Sequence, residues 1–441
     1  MKLIIIGGGP GGYETAIEAS RRGLETTLIT DGSLGGTCLN EGCIPTKTFC
    51  HYAEGLSGGE LSAGAMQSLQ ERKNAVVEQL QGGIASMLRK VNVVRGRARF
   101  VDSHTVEVVP APGTENSGPV RLSADRFIIA TGSTGAVLPI PGADLCIGSR
   151  EMLQLTEVPK RLCVIGGGVI GLEFAGIFRS FGSEVSVLEF CPGILPRFDE
   201  DLAKRLKLSL KKRGIAIETS AQVKAVERSG NSLTVKYILK EQKCSLEADS
   251  VLMAVGRRAN FEGLGLEAAG VECSRRGISV DDRARTNVPG IYAVGDVTGG
   301  IMLAHYASFQ GKRALNDICG ISDGIRFDVC PAAVFTVPEV ATVGLTEEEC
   351  KAQGIDFKVH RSMYGGNGKA VSMDAAEGFA KVLTEGPDGR ILGMHIMGAH
   401  ASDLIHEGAV LISFGATLGQ ARDMIHAHPS LSEVLQAAYN A

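Results

Sequence analysis

An α/β fold with two copies of one strand–turn–helix unit, followed by a C-terminal α+β domain, is what the sequence predicts. Three observations predict it. An apolar run meets a glycine-rich turn at Leu3–Gly12, and the same pattern returns about 159 residues later at Leu162–Gly171. From about Asp328 the texture changes to alternating strands followed by two helices. Buried apolar strands that alternate with helices imply a sheet covered on its faces. At roughly 150 residues per domain, 441 residues give room for about three domains.

Composition narrows the function. Lys and Arg number 45 and Asp and Glu 49, a net charge of −4 with no basic excess. Neither nucleic acid nor an anionic membrane is expected as a partner. Trp is absent and aromatics are 5%, which disfavours stacking on sugars or single strands. Gly is 57 of 441 residues without a collagen period, so the glycines belong to turns and to close backbone approach. The eleven Cys are too few for a disulfide scaffold in so long a chain. The N-terminal apolar run is too short for a signal peptide, and no stretch of about 18 apolar residues could span a bilayer. The expected compartment is a reducing cytoplasm, where close cysteines are catalytic or metal-binding more often than structural.

The elements follow in order. Lys2–Ile6 is a strand, Gly7–Gly12 a turn, Tyr13–Arg22 a helix capped by Gly23, and Leu24–Thr30 a second strand. Gln67–Lys90 is a polar helix. Val91–Phe100, Thr105–Val109 and Arg126–Ala130 are strands, with a Pro/Gly-rich loop at 110–119. The hinge at Leu138–Gly142 opens the second unit. Its strands are Arg161–Ile165 and Glu184–Glu189, its turn Gly166–Gly171, and its helix Leu172–Phe181 capped by Gly182. Strands at Ala332–Val337, Gly378–Thr384 and Ile391–Met397 precede helices at Ala401–Phe414 and Leu418–Ile425. The expected domains are 1–142, 143–262, a central segment 263–327 returning to the first, and 328–441.

Four motifs carry chemistry. Gly7-x-Gly9-x-x-Gly12 and Gly166-x-Gly168-x-x-Gly171 each follow a strand and open a helix. The first glycine permits the turn, the second lets a pyrophosphate approach, and the third lets helix pack on strand. The helix N-terminus adds N–H donors and partial positive charge. Glu189 lies 18 residues after Gly171, where a carboxylate holds a ribose 2′-hydroxyl and repels a 2′-phosphate, so this turn should prefer NAD. The same spacing from Gly12 lands on Thr30, and the ribose contact is assigned to the next residue, Asp31.

Cys38 and Cys43 are separated by four residues, the last of them Gly42. Bridged cysteines need Cα atoms about 4.4–6.8 Å apart. An extended segment would hold these about 16 Å apart, and a helix would separate them by about 7.5 Å along its axis. Closure needs a distorted turn, which Gly42 suits. A redox disulfide is favoured, with metal ligands or buried thiols as alternatives. No His or Cys at zinc spacing accompanies them, so no metal is expected. Asp296 ends an apolar strand and could cap a helix or meet a ligand. In His426-Ala427-His428-Pro429, an imidazole can take a thiol proton near neutral pH, with Glu433 to orient it.

Together these residues resemble the pyridine nucleotide–disulfide oxidoreductases that bind FAD and carry a Cys-x4-Cys pair. Ala130-Thr131-Gly132, Val255-Gly256-Arg257, Met302-Leu303-Ala304-His305 and Phe335-Thr336-x-Pro338-Glu339 extend the resemblance over nearly the whole chain. It implies two Rossmann-like domains and a dimerisation domain. It places FAD on Gly7, Gly9, Gly12, Asp31, Gly36, Thr37, Lys47, Thr131, Gly132, Asp296, Leu303 and Ala304. It places NAD on Gly166, Gly168, Gly171, Glu189 and Gly256. Cys38 is implied as the thiol that exchanges with substrate and Cys43 as the flavin-side thiol. Lys47 is implied beside the flavin, paired with Glu173. His428 is implied as a base given from the partner subunit of a homodimer, with Glu433 as its orienter.

The implied reaction is oxidation of protein-bound dihydrolipoamide by NAD. The implied partners are lipoyl domains or the acyltransferase core of a 2-oxo-acid dehydrogenase or glycine-cleavage complex. Glutathione- and mercuric-reductase-like activities are the rivals. The first wants basic residues near Glu189, and the second a terminal Cys pair, whereas the last cysteine is Cys350. The Thr30/Asp31 offset and Glu41 inside the cysteine loop depart from the family pattern.

Overall fold

The computed structural model describes residues 1–56, 61, 64–111, 118–387 and 389–441. Most of the loop expected at 110–119 therefore lies outside the described residues. Two compact units emerge. One comprises Met1–Thr48, Gln67–Ala136 and Gly256–Ile325, and the other Phe49–Met66, Val137–Val255 and Arg326–Ala441. The chain thus leaves the first unit after Ala136 and re-enters it at Gly256, several residues before the expected boundaries at 142 and 262. The nucleotide-binding and C-terminal segments expected as two domains fall in one unit.

The first unit is built on a seven-stranded sheet. Its elements are β1 (Lys2–Ile6), α1 (Pro10–Arg21), β2 (Glu25–Thr30), α2 (Gly36–Glu41), the first half of α3 (Cys43–Glu54), α4 (Ala65–Met87) from Gln67 onward, β3 (Asn92–Asp102), β4 (Thr105–Pro110), β5 (Val120–Ser123) and β6 (Arg126–Ile129). The sheet order is strand Ile291–Ala293, then β6, β1, β2, β3, β4 and β5. The first five run parallel, and β4 and β5 return antiparallel. Leu3, Ile5, Leu28 and Ile128 are fully buried, as apolar runs in a parallel sheet covered on both faces must be. The helix after the first turn starts at Pro10, three residues earlier than expected, because proline suits the first helical position. Gly11 and Gly311 let α1 pack closely on helix Ala304–Ile318. A Cβ on Gly311 would lie 1.9 Å from the Thr15 hydroxyl. The two connections out of this unit run side by side, Ser133–Gly135 pairing antiparallel with Arg257–Ala259.

The second unit holds the repeat. Strands Ile215–Thr219, Glu184–Glu189, Arg161–Ile165 and Ser250–Met253 form a parallel sheet, with a three-stranded antiparallel sheet at 221–248. Helix Val169–Ser180 follows the second turn, again starting three residues before the expected Leu172. The C-terminal segment forms a five-stranded antiparallel sheet in the order Ala332–Val334, Val340–Gly344, Ile391–Met397, Phe379–Glu385, Phe357–Met363. Strands Val340–Gly344 and Phe357–Met363 and the last helix, Glu433–Tyr439, go beyond the sequence expectation. Helix Ala401–Ser413 covers the sheet, its Ile405 and Ile412 joining Met394 and Ile396 in one buried cluster.

Within this unit a buried charge cluster joins the two segments. Lys381 Nζ lies 2.7 Å from both Asp199 carboxylate oxygens and 2.5 Å from Glu347 Oε1. Asp199 also caps helix Glu200–Lys212 by accepting from Leu202 N. His395 donates from Nε2 to Leu345 O and stays neutral, because burial holds its pKa down.

Candidate active site

The first glycine turn is shaped by steric necessity. Gly7 has φ +121°, and a Cβ there would lie 2.1 Å from Ala130 O. A Cβ on Gly12 would lie 1.8 Å from Gly7 O. The second turn repeats this, with φ +117° at Gly166 and gaps of 2.3 Å from Gly166 to Ala254 O and 2.0 Å from Gly171 to Gly166 O. The middle glycines differ. Among the described residues nothing lies within 4 Å of a Cβ built on Gly9 or Gly168. Each is the N-cap of its helix and contributes no side-chain cap. Open space before a helix N-terminus suits a pyrophosphate, so both turns fit a dinucleotide.

Elements around the first turn carry the thiols. Gly35 N donates to Gly8 O at 2.8 Å, and a Cβ on Gly36 would meet Gly9 Cα at 2.6 Å. This loop sets α2, with Thr37 and Cys38, beside the turn. Asn40 secures it by donating to Leu34 O and Gly36 O, and itself accepts from Gln81. Gly42 breaks the helical path, where a Cβ would sit 2.9 Å from Thr37 O, and α3 begins at Cys43. Thr46 bonds Gly42 O through its amide (3.0 Å) and its hydroxyl (2.6 Å). The distorted turn needed to bring two cysteines together is therefore present.

Both are thiols in this structure, Cys38 half-buried and Cys43 exposed. The Cys38 thiol hydrogen-bonds to the Cys43 sulfur, and this bond is the main reason its pKa lies far above the ordinary value. Burial adds to it, and the Lys47 ammonium opposes it.

The other expected residues of the first unit sit on its connections. The Thr131 hydroxyl donates to Asn260 O at 2.6 Å, and Gly132 O accepts from Asn260 N at 2.9 Å. Asp296 lies in a 3₁₀ turn, Gly295–Thr298, whose cap is Val294, so it is not itself an N-cap. Its carboxylate accepts from the Ser133 hydroxyl, and Arg257 Nε lies 2.7 Å from that hydroxyl and 3.9 Å from Asp296. Ser133 and Arg257 as the setting of Asp296 were missed by sequence reasoning, although Arg257 follows the noted Val255-Gly256 pair. Leu303 is the N-cap of the helix opened by Ala304. Asp31 is exposed, 3.8 Å from Arg97 Nε. Lys47 belongs to this unit.

In the second unit, Glu189 is buried at the end of its strand. Its carboxylate accepts from Gly167 N at 2.5 Å and Cys191 N at 2.6 Å. Glu173 is buried on the helix after the turn and accepts from Phe335 N at 3.0 Å. Gly256, expected with this turn, is the first residue of the returning segment of the first unit. His428 Nδ1 lies 2.9 Å from Glu433 Oε1, and Glu433 Oε2 accepts from Ser430 N at 2.8 Å. Those contacts hold the Glu433 carboxyl below its ordinary pKa, the Ser430 amide first. With Nδ1 donating, a neutral imidazole keeps its lone pair on Nε2, and the His428 side chain is 80% exposed. A second pair, unexpected from sequence, lies nearby. His426 Nε2 is 3.1 Å from Glu407, which also accepts from Tyr439 Oη at 2.6 Å.

Two glycine turns fit for dinucleotides, a polarised dithiol and a carboxylate-backed imidazole define a nucleotide-dependent disulfide oxidoreductase. The chain belongs to the pyridine nucleotide-disulphide oxidoreductase family, whose description matches residues 1–311, with its dimerisation domain matching 330–439. It is 40% identical over 450 residues to a dihydrolipoyl dehydrogenase of Bacillus subtilis, covering 99% of this chain and 95% of that one. It is 39% identical over 460 residues to a leghemoglobin reductase of Vigna unguiculata, covering 99% and 86%. Its fold is similar to that of the HOCl-induced flavoprotein disulfide reductase RclA of Escherichia coli, with TM-score 0.90, 30% identity, and 100% and 99% of the chains covered. LpdA of Mycobacterium tuberculosis gives TM-score 0.91 at 28% identity, covering 100% and 99%. The cofactors are FAD and NAD, and the dimerisation domain makes the chain a homodimer. Among the described residues, no helix is long and apolar enough to cross a membrane.

Proposed function

We infer that the chain is a dihydrolipoyl dehydrogenase, oxidising lipoyl-bound dithiols with NAD in a reducing cytoplasm. The observation that carries this reading is the Cys38–Cys43 dithiol set beside an open glycine turn. Glu189 selects within the family, because its carboxylate repels the 2′-phosphate of NADP.

His428 Nε2 of the partner subunit takes the proton of one substrate thiol, and Glu433 supports the cation. In the oxidised enzyme, where Cys38 and Cys43 form a disulfide, the substrate thiolate attacks Cys38 Sγ, the Cys38–Cys43 bond breaks, and Cys43 leaves as thiolate. The second substrate thiol attacks the sulfur already bound to Cys38, closing the product disulfide and releasing Cys38. Bound FAD supplies the two-electron chemistry that links the reduced dithiol to NAD. Lys47 is the lysine beside the flavin. Gly36, Thr37, Thr131, Gly132, Asp296, Leu303 and Ala304 line the flavin site. The protein-bound substrate arrives on a lipoyl domain of a 2-oxo-acid dehydrogenase or glycine-cleavage complex.

Steady-state rates test the reading. Dihydrolipoamide with NAD should yield NADH rapidly, and glutathione disulfide with NADPH should not react. Activity with the second pair alone would overturn the substrate and nucleotide assignments.

A further inference from the structure

The two turns are copies, so each residue of one can be checked against its counterpart in the other. Gly7 N donates to Ile29 O at 2.8 Å, and Gly166 N donates to Leu188 O at 2.9 Å. Ile6 pairs with Ile29 and Ile165 with Leu188 in the parallel ladders. The next residue on each strand is Thr30 in the first copy and Glu189 in the second, both buried. A Cβ on Gly8 would meet the Thr30 hydroxyl at 2.7 Å, and one on Gly167 would meet Glu189 Cβ at 3.1 Å. The amide two residues further on faces the same side chain in both copies. Gly32 N is 3.4 Å from Thr30 Oγ1, and Cys191 N is 2.6 Å from Glu189 Oε1. Thr30 thus occupies the place of Glu189. Asp31 occupies the place of Phe190, an outward position where the phenyl ring is 70% exposed.

We propose that Thr30, not Asp31, is the residue at the adenosine ribose of the flavin half, and that this half lacks a carboxylate clamp. The proposal rests on the reading that the first turn holds FAD. A carboxylate offers about four acceptor sites, so Glu189 can serve two amides and still accept from two ribose hydroxyls. The Thr30 hydroxyl has one proton, which it gives to Gly32 O at 3.2 Å, and its remaining acceptor capacity is that of a neutral group. Bonds from a hydroxyl to a carboxylate are roughly twice as strong as neutral ones. The flavin is therefore held mainly through its pyrophosphate and ring system, and Thr30 sets how readily it exchanges.

The test is the dissociation constant of FAD from the homodimeric apoprotein, read by quenching of flavin fluorescence. Thr30→Glu should tighten FAD about tenfold, the gain from one added charge-assisted contact. Asp31→Asn should change it less than about twofold, as expected of an exposed group already beside Arg97. The reciprocal Glu189→Thr should weaken NADH about tenfold without altering FAD, which checks the positional equivalence if Thr30→Glu fails to fold. A tenfold loss of FAD affinity in Asp31→Asn, or no effect of Glu189→Thr on NADH, would overturn the proposal while leaving the flavoprotein reading intact. Apoprotein that binds no FAD would overturn both.

Discussion

Cys38 and Cys43 are coupled by a hydrogen bond, which together with burial raises the Cys38 pKa, while the Lys47 ammonium opposes it. Reduced Cys38→Ser holoenzyme should keep the long-wavelength absorbance of a thiolate against flavin, and Cys43→Ala should lose it. A band surviving in Cys43→Ala would reverse the two roles. The residue types and spacing at this site were legible in sequence, and so was the need for Gly42 to distort the turn. What raises the Cys38 pKa was not, because it depends on the placement of the Cys43 sulfur and on burial. The Ser133–Arg257 setting of Asp296 was hidden for the same reason, its members being far apart in the chain.

Among the elements, helix ends carry the charges that matter most. Asp317, near the C-terminus of helix Ala304–Ile318, accepts from Arg285 Nε at 2.6 Å, Tyr292 Oη at 2.8 Å and Arg283 Nη1 at 3.2 Å. These contacts, Arg285 first, pull its pKa from 3.8 to about 2. A depressed carboxyl stabilises the fold above its unfolded pKa, and that contribution fades as pH falls from about 4 to about 2. Asp317→Asn should therefore cost of the order of 1 kcal/mol at pH 7, after allowance for solvent screening. The gap from wild type should close towards pH 2 in urea melts; a gap that is constant with pH would refute this.

Lys381 presents a larger case. It is fully buried between Asp199 and Glu347, so Lys381→Met leaves two carboxylates without their cation. A loss of about 3–5 kcal/mol in chemical denaturation is expected. A loss under about 1 kcal/mol would show the cluster to be solvated. Helix starts were misread by three residues in both copies of the turn. Glycine reads as turn in sequence, yet here it lies inside the first helical turn, where close packing requires it.

Over the whole molecule, the C-terminal segment leaves apolar side chains without cover in one chain. Ile425 is 98% exposed and Phe414 84%. Such exposure on a dimerisation domain marks surface that a second copy buries. Ile425→Asp should shift the protein towards monomer in sedimentation and, on the proposal that His428 of the partner subunit is the base, reduce activity in parallel. A dimer of unchanged stability would remove Ile425 from the interface.

What the sequence determined by itself was the local chemistry. Both glycine turns, the strands that feed them, the cysteine pair and the His428–Glu433 spacing follow from short-range sterics and periodicity, which the residues within about a dozen positions express fully. The tertiary structure decided which residues meet across long separations. It gathered 1–48, 67–136 and 256–325 into one unit, buried Lys381 against Asp199, and put Thr30 rather than Asp31 in the place of Glu189. Burial, strand register and the direction of a hydrogen bond are set by packing over the whole fold, and a linear pattern carries no distance between residues more than 100 positions apart.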